Sequence, residues 1–77
     1  MIHYLIVFDR PRGRILELRE FNERHAAVQA RFQEERRRAG QPEIEIVILG
    51  AESREALERT HGRYFKNLRQ LIKIVPK

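Results

Sequence analysis

The residues of this chain whose types and spacing suit chemistry are cations, and they lie in two places. Arg59, Arg63, Lys66, Arg69 and Lys73 follow one another three or four residues apart. A helix turns by about 100° per residue, so that spacing lines them along one face. Arg10, Arg12 and Arg14 alternate with Pro11 and Gly13, which sets three charges on one turn. Guanidinium and ammonium groups in such stripes neutralise phosphates along a nucleic-acid backbone. The chemistry is electrostatic, and it gives affinity more than sequence preference.

The balance of charge points the same way. Residues 1–58 hold ten Lys/Arg and eleven Asp/Glu, whereas residues 59–77 hold six Lys/Arg and no acid. The net charge of +5 is therefore carried by the C-terminal quarter. A one-signed surface seeks a polyanion or an acidic protein surface. Thirteen of the sixteen basic residues are Arg, the better fork for phosphate. Pro11-Arg12-Gly13-Arg14 resembles the core of an AT-hook, with Ile15 where the motif has a trailing Pro. That resemblance implies an extended Arg-Gly-Arg placed in the minor groove.

Covalent chemistry has few candidates. There is no Cys, so disulfides, thiolate metal sites and Cys nucleophiles are excluded. Ser53 is the one serine, and its position suits a helix cap. His3, His25 and His61 are far apart and lack metal-ligand spacing, so we expect no metal and no cofactor. His61, Arg63 and Tyr64 contain the groups a small ribonuclease needs. On a helix, however, Arg63 lies about 160° around from His61. The chain reads as non-catalytic.

These residues must be positioned by a small fold. Seventy-seven residues make one domain with a modest core. Tyr4-Leu5-Ile6-Val7-Phe8 is apolar at both parities and predicts a central strand buried on both faces. Asp9-Arg10-Pro11-Arg12-Gly13 predicts a turn. Residues 14–19 predict the second strand of a hairpin, with Leu16 and Leu18 on one face and Glu17 and Arg19 on the other. Asn22 caps a helix that runs to about Ala39 and stops at Gly40. Phe21, His25, Val28, Phe32 and Ala39 would share its inner face. Arg24, Arg31 and Arg38 form a stripe, and Arg38 is aligned with Glu34 for a helix ion pair. Arg36, Arg37 and Arg38 suit the negative end of the helix dipole.

Residues 43–49 predict a third strand closed by Gly50. Ser53 caps a second helix, amphipathic from Leu57 on, with Leu57, His61, Tyr64, Phe65, Leu68, Leu71 and Ile72 inward. Gly62 lies near its basic edge and marks a place to kink or stop. Ile72-Lys73-Ile74-Val75 suits a short fourth strand equally well, so residues 66–77 read as extended helix, strand or basic tail. The order β-β-α-β-α gives an α+β two-layer sandwich with strand order 2-1-3. Its small sheet would be mixed, with both helices on one face. The second apolar face of the central strand then calls for a cover, and a homodimer is the simplest.

No run approaches the length of a membrane span, and no signal peptide is legible. A cytoplasmic location is expected. The leading functional expectation is a binding module for nucleic acid through Arg59, Arg63, Lys66, Arg69 and Lys73, with Arg10, Arg12 and Arg14 as a second point. The rival is a protein-interaction adaptor whose C-terminal helix docks in a partner's groove.

Overall fold

The computed structural model describes residues 1–66. In chain order it has β1 (Ile2–Asp9), β2 (Arg14–Phe21), α1 (Arg24–Arg37), β3 (Ile44–Ala51), α2 (Arg54–Thr60) and a 3-10 turn (Gly62–Phe65). The α+β class and the element order agree with the sequence reading. The fourth-strand reading of residues 72–75 lies outside the described residues.

The strand order is β2-β1-β3, as expected. Both pairings of β1 are antiparallel, so the sheet is not mixed. The crossover through α1 does make β2 and β3 run the same way. With β1 between them, however, each meets only an antiparallel neighbour.

Both faces of β1 are buried, and each has its own cover. Tyr4, Ile6 and Phe8 pack in one cluster with Leu57, Tyr64 and Phe65, so α2 and the 3-10 turn cover that face. Leu5 and Val7 point the other way and are fully buried too. In register they oppose Arg19 and Glu17 on β2 and Ile48 and Ile46 on β3. Arg19 and Glu17 reach Glu34, Arg37 and Arg38 of α1, which places α1 over this second face. The helices therefore lie on opposite faces and not on one. Each connection follows the strand it leaves: α1 crosses one face from β2 to β3, and α2 turns back under the other.

The inner stripe of α1 differs from the one expected. Ala27, Ala30 and Glu34 are buried, while His25 is exposed and Phe32 is 49 % exposed. The sheet face explains the difference. It carries Glu17 and Arg19, so the helix is turned to present ionic partners. Small alanines let it sit close. Glu34 Oε1 accepts a hydrogen bond from Arg38 Nε at 3.0 Å, and Glu34 Oε2 lies 3.3 Å from Arg37 Nη1. Arg37 and Arg38 also donate to Glu17 Oε2 at 3.3 and 3.4 Å. Apolar periodicity alone does not see this interface. The helix is shorter than expected, with Glu23 at the cap position and no side-chain cap. Gly40 has φ of +87°, the left-handed conformation that glycine tolerates after a helix.

A β-bulge corrects the expected faces of β2. Val7 pairs with Glu17 but Phe8 pairs with Ile15, which leaves Leu16 as the extra residue. Ile15 and Leu18 then pack on the α2 face, and Leu16 turns outward.

α2 starts where expected. Ser53 Oγ accepts a hydrogen bond from the Ala56 amide at 3.1 Å. The helix stops after Thr60, and the 3-10 turn begins at Gly62. The cap and the core each carry a prediction. Ser53→Ala should cost about 1 kcal/mol, and Leu57→Ala, at a fully buried site, about 2–5 kcal/mol. Urea denaturation midpoints read both, and equal losses would contradict the assignment of one side chain to a cap and the other to the core.

Candidate polyanion-binding end

The topology gathers chain segments that are distant in sequence. The β1–β2 turn, the C-terminus of α1 and the start of β3 meet at one end of the sheet. The Arg10 amide donates to the Glu43 carbonyl at 3.2 Å. Arg10 Nη2 donates to the Pro42 carbonyl at 2.9 Å. Arg37 and Arg38 reach Glu17, three residues into β2 from Arg14. The 3-10 turn closes the same end through Arg63 and Tyr64.

Two carboxylates organise these cations. The first is Asp9 at the end of β1, which is 3 % exposed. It accepts hydrogen bonds from the Arg12 amide at 3.2 Å and from Arg12 Nη1 at 3.0 Å. Gly13, with φ of +65°, donates its amide to the Asp9 carbonyl at 2.7 Å. The turn is thus folded around Asp9, unlike the extended Arg-Gly-Arg that an AT-hook lays in a groove. Burial alone would push Asp9 up. The hydrogen bonds from Arg12, with the charges of Arg12 and Arg14, outweigh it and hold the carboxyl below its ordinary range.

The second carboxylate is Glu45 on β3. The Tyr64 hydroxyl donates to its Oε2 at 2.6 Å. Arg63 Nη2 donates to both carboxylate oxygens, at 2.9 and 3.0 Å, and to the Tyr64 hydroxyl oxygen at 2.8 Å. Arg10 Nε stands 4.0 Å from Oε1. The Tyr64 ring meets Phe8 edge-on, with centroids 5.0 Å apart, and the Arg63 guanidinium lies over the Tyr64 ring at 4.2 Å. The hydrogen bond from Tyr64, and next to it Arg63, hold Glu45 below the usual carboxylate range despite its burial. Burial first, and Glu45 second, raise Tyr64 above the usual phenol value.

The expected site residues therefore fall into three groups. Arg10, Arg12, Arg14 and Arg63 are brought together at the hairpin end. Arg59 and Lys66 are exposed and make no ion pair among the described residues. Arg69 and Lys73 lie outside the described residues. Arg63 is not a bare cation on a stripe, because Glu45 and Tyr64 hold its guanidinium in place. Tyr64 and Phe65 are buried against the sheet; Leu68 and Leu71 lie outside the described residues.

Sequence reasoning did not assign Glu45 or Asp9 to this site. Glu45 falls inside the third predicted strand, and nothing local ties it to residues 63 and 64. Asp9 did show a signal as the chain's one Asp, placed at a turn. His61 makes no side-chain hydrogen bond among the described residues, and Arg63 and Tyr64 meet on Glu45, not on His61. Among the described residues no three His, Asp or Glu side chains converge as metal ligands. No helix among them is long and apolar enough to cross a membrane. No protein-family model, curated protein or solved structure matches the chain.

The pKa directions give a signed pH dependence. Asp9 and Glu45 are both held below their unfolded values. Their contribution to stability is full above about pH 4 and is lost as pH falls through the folded values. Tyr64 is raised, so its contribution is lost as pH rises past about 10. Tyr64→Phe removes the shortest hydrogen bond to Glu45. It should raise the Glu45 pKa and cost roughly 1.5–3 kcal/mol. Carboxyl-detected NMR titration with thermal unfolding checks this; an unmoved Glu45 would show that Arg63 alone sets its charge.

Proposed function

We propose that this protein is a non-catalytic binding module for a polyanion, and that the polyanion is nucleic acid. Its contact surface is the hairpin end of the sheet, with Arg10, Arg12, Arg14 and Arg63 on the phosphates. Arg59 and Lys66 extend the contact, and Arg69 and Lys73 continue the same series in sequence. A cytoplasmic location belongs to this reading, since it gives access to nucleic acid.

One observation carries the proposal: at this end the cations are outside and the anions are beneath them. The Arg10, Arg12 and Arg63 side chains are 56, 69 and 60 % exposed, whereas Asp9 and Glu45 are 4 and 20 % exposed. An approaching phosphate therefore meets guanidinium groups first. Each carboxylate sits behind an arginine and fixes its direction. Glu43, exposed in the facing loop, leaves a net of one positive charge over these seven residues. Arg36 in the last turn of α1 adds another, unpaired among the described residues.

Preorientation matters because an arginine loses side-chain entropy when it is fixed on a ligand. Here Asp9, Glu45 and the Pro42 carbonyl have already fixed three of the four. The contacts run to the backbone and not to base edges, so binding should be weakly specific and strongly salt-dependent.

The test is an amide NMR titration with a short mixed-sequence DNA duplex and, separately, a single-stranded RNA, at low and physiological salt. Shifts should cluster at residues 10–14, 36–38 and 59–66 and weaken steeply with salt. No shift with either nucleic acid at low salt would end this reading and favour an acidic protein partner.

A further inference from the structure

We propose that the hairpin end takes an unpaired nucleobase, stacked on the guanidinium plane of Arg63, so that the polyanion is a single-stranded nucleic acid. The inference rests on the polyanion reading and deepens it by naming the kind of strand.

Arg63 is held as a plane and not as a loose cation. Its Nη2 donates to Glu45 Oε1 and Oε2, at 3.0 and 2.9 Å, and to the Tyr64 hydroxyl oxygen at 2.8 Å. Those bonds fix one edge of the group. One face is fixed too: the guanidinium carbon stands 4.2 Å from the Tyr64 ring centroid and 5.8 Å from that of Phe8. The other arginine–ring contacts among the described residues, at Phe21, Phe32 and Phe65, are 5.2 Å or longer, and none involves an arginine of the hairpin end. Tyr64 and Phe8 are buried, so neither ring can meet a ligand itself. Arg63 lies above them with its side chain 60 % exposed, which leaves the face turned from Tyr64 open among the described residues.

An uncharged, flat group suits that face. Guanidinium planes stack on the bases of unpaired nucleotides, and stacking tolerates any sequence because every base has a π-face. A base carries no charge for Glu45 to repel. The plane is already oriented, so little side-chain freedom is lost when a base lands on it. Arg10 is the neighbour that completes the contact. Its Nε stands 4.0 Å from Glu45 Oε1, the oxygen that Arg63 Nη2 also reaches. A nucleotide with its base on Arg63 therefore has Arg10 beside it for its phosphate.

The shape of this end selects a single strand over a duplex. The major groove is about 12 Å wide and admits one helix or a two-stranded ribbon, and the minor groove is narrower still. Here the hairpin is not a free ribbon. β3 runs beside it, the C-terminus of α1 lies over one face and the 3-10 turn over the other. An end of that breadth rests on the phosphates of a duplex and does not reach its bases. An unpaired base can be splayed out of its strand and come to Arg63.

Fluorescence anisotropy tests the proposal with a short labelled single strand, the same strand made abasic throughout, and the matching duplex, each at low and at physiological salt. The wild type should bind the single strand about tenfold more tightly than the abasic strand, which carries the same phosphates. Salt should weaken both and leave their ratio in place, because stacking releases no counterions. DNA and RNA strands should show the ratio alike. Arg63→Lys keeps the charge and removes the plane. It should bring the ratio close to one, with the affinity for the abasic strand and the circular dichroism unchanged. Equal affinity of the wild type for the two strands would overturn the proposal and leave the polyanion reading standing, as would tighter binding to the duplex than to the single strand. An Arg63→Lys loss of the same size on both strands would overturn it too, since Arg63 would then act through charge or fold. No binding of any of the three at low salt would end both readings.

Discussion

The burial of β1 on both faces is the constraint from which the rest follows. Tyr4 to Phe8 are apolar at every position, and none exceeds 4 % exposure. A strand of that kind must be central and needs a cover on each side. With strand order β2-β1-β3, the chain has to pass from one edge to the other, and α1 makes that crossing over one face. The second cover comes from the segment after β3, where Leu57, Tyr64 and Phe65 close the opposite face. Both reversals that carry arginine, the hairpin turn and the end of α1, then fall at one end of the sheet.

Charge does structural work at both helical interfaces. On the α1 side Glu34 is almost fully buried and meets Arg37 and Arg38 of its own helix and Arg19 of β2. On the α2 side Glu45 ties β3 to the 3-10 turn through Tyr64 and Arg63. A buried ion pair adds little net stability over an apolar pair, but breaking one is costly. Such pairs are suited to fixing register. They hold α1 in one rotation about its axis, and they hold Arg63 in one direction at the surface.

Local patterns made much of this fold legible. The continuous apolar run at residues 4–8, the Pro-Arg-Gly turn, Ser53 as a cap and the stop near Gly62 each depend on neighbours in sequence. The central place of β1 followed from its composition. What was not legible depends on partners remote in sequence. The inner stripe of α1 is chosen by Glu17 and Arg19 on the sheet, so Phe32 and His25 were assigned to the wrong side. The bulge at Leu16 shifts one residue and swaps the faces expected for Ile15 and Leu16. The two-sided placement of the helices is not legible in sequence, because a second copy would satisfy the apolar residues on the second face of β1 as well as α1 does. In the candidate site the arginines were visible as types. Their convergence on Asp9 and Glu45 was not, since 18 residues separate Glu45 from Arg63.

The central claim is that the fold collects outward-facing cations at the hairpin end for a polyanion. The most direct test is the salt dependence of binding to a short DNA duplex, for the wild type, for Arg14→Ala/Arg36→Ala, and for Arg24→Ala at the opposite end of α1. Each phosphate contact contributes about 0.9 to the slope of log affinity against log salt. The account predicts that the double substitution flattens the slope by up to about 1.8, while Arg24→Ala leaves it unchanged. Equal slopes for all three proteins, or a loss confined to Arg24→Ala, would contradict it.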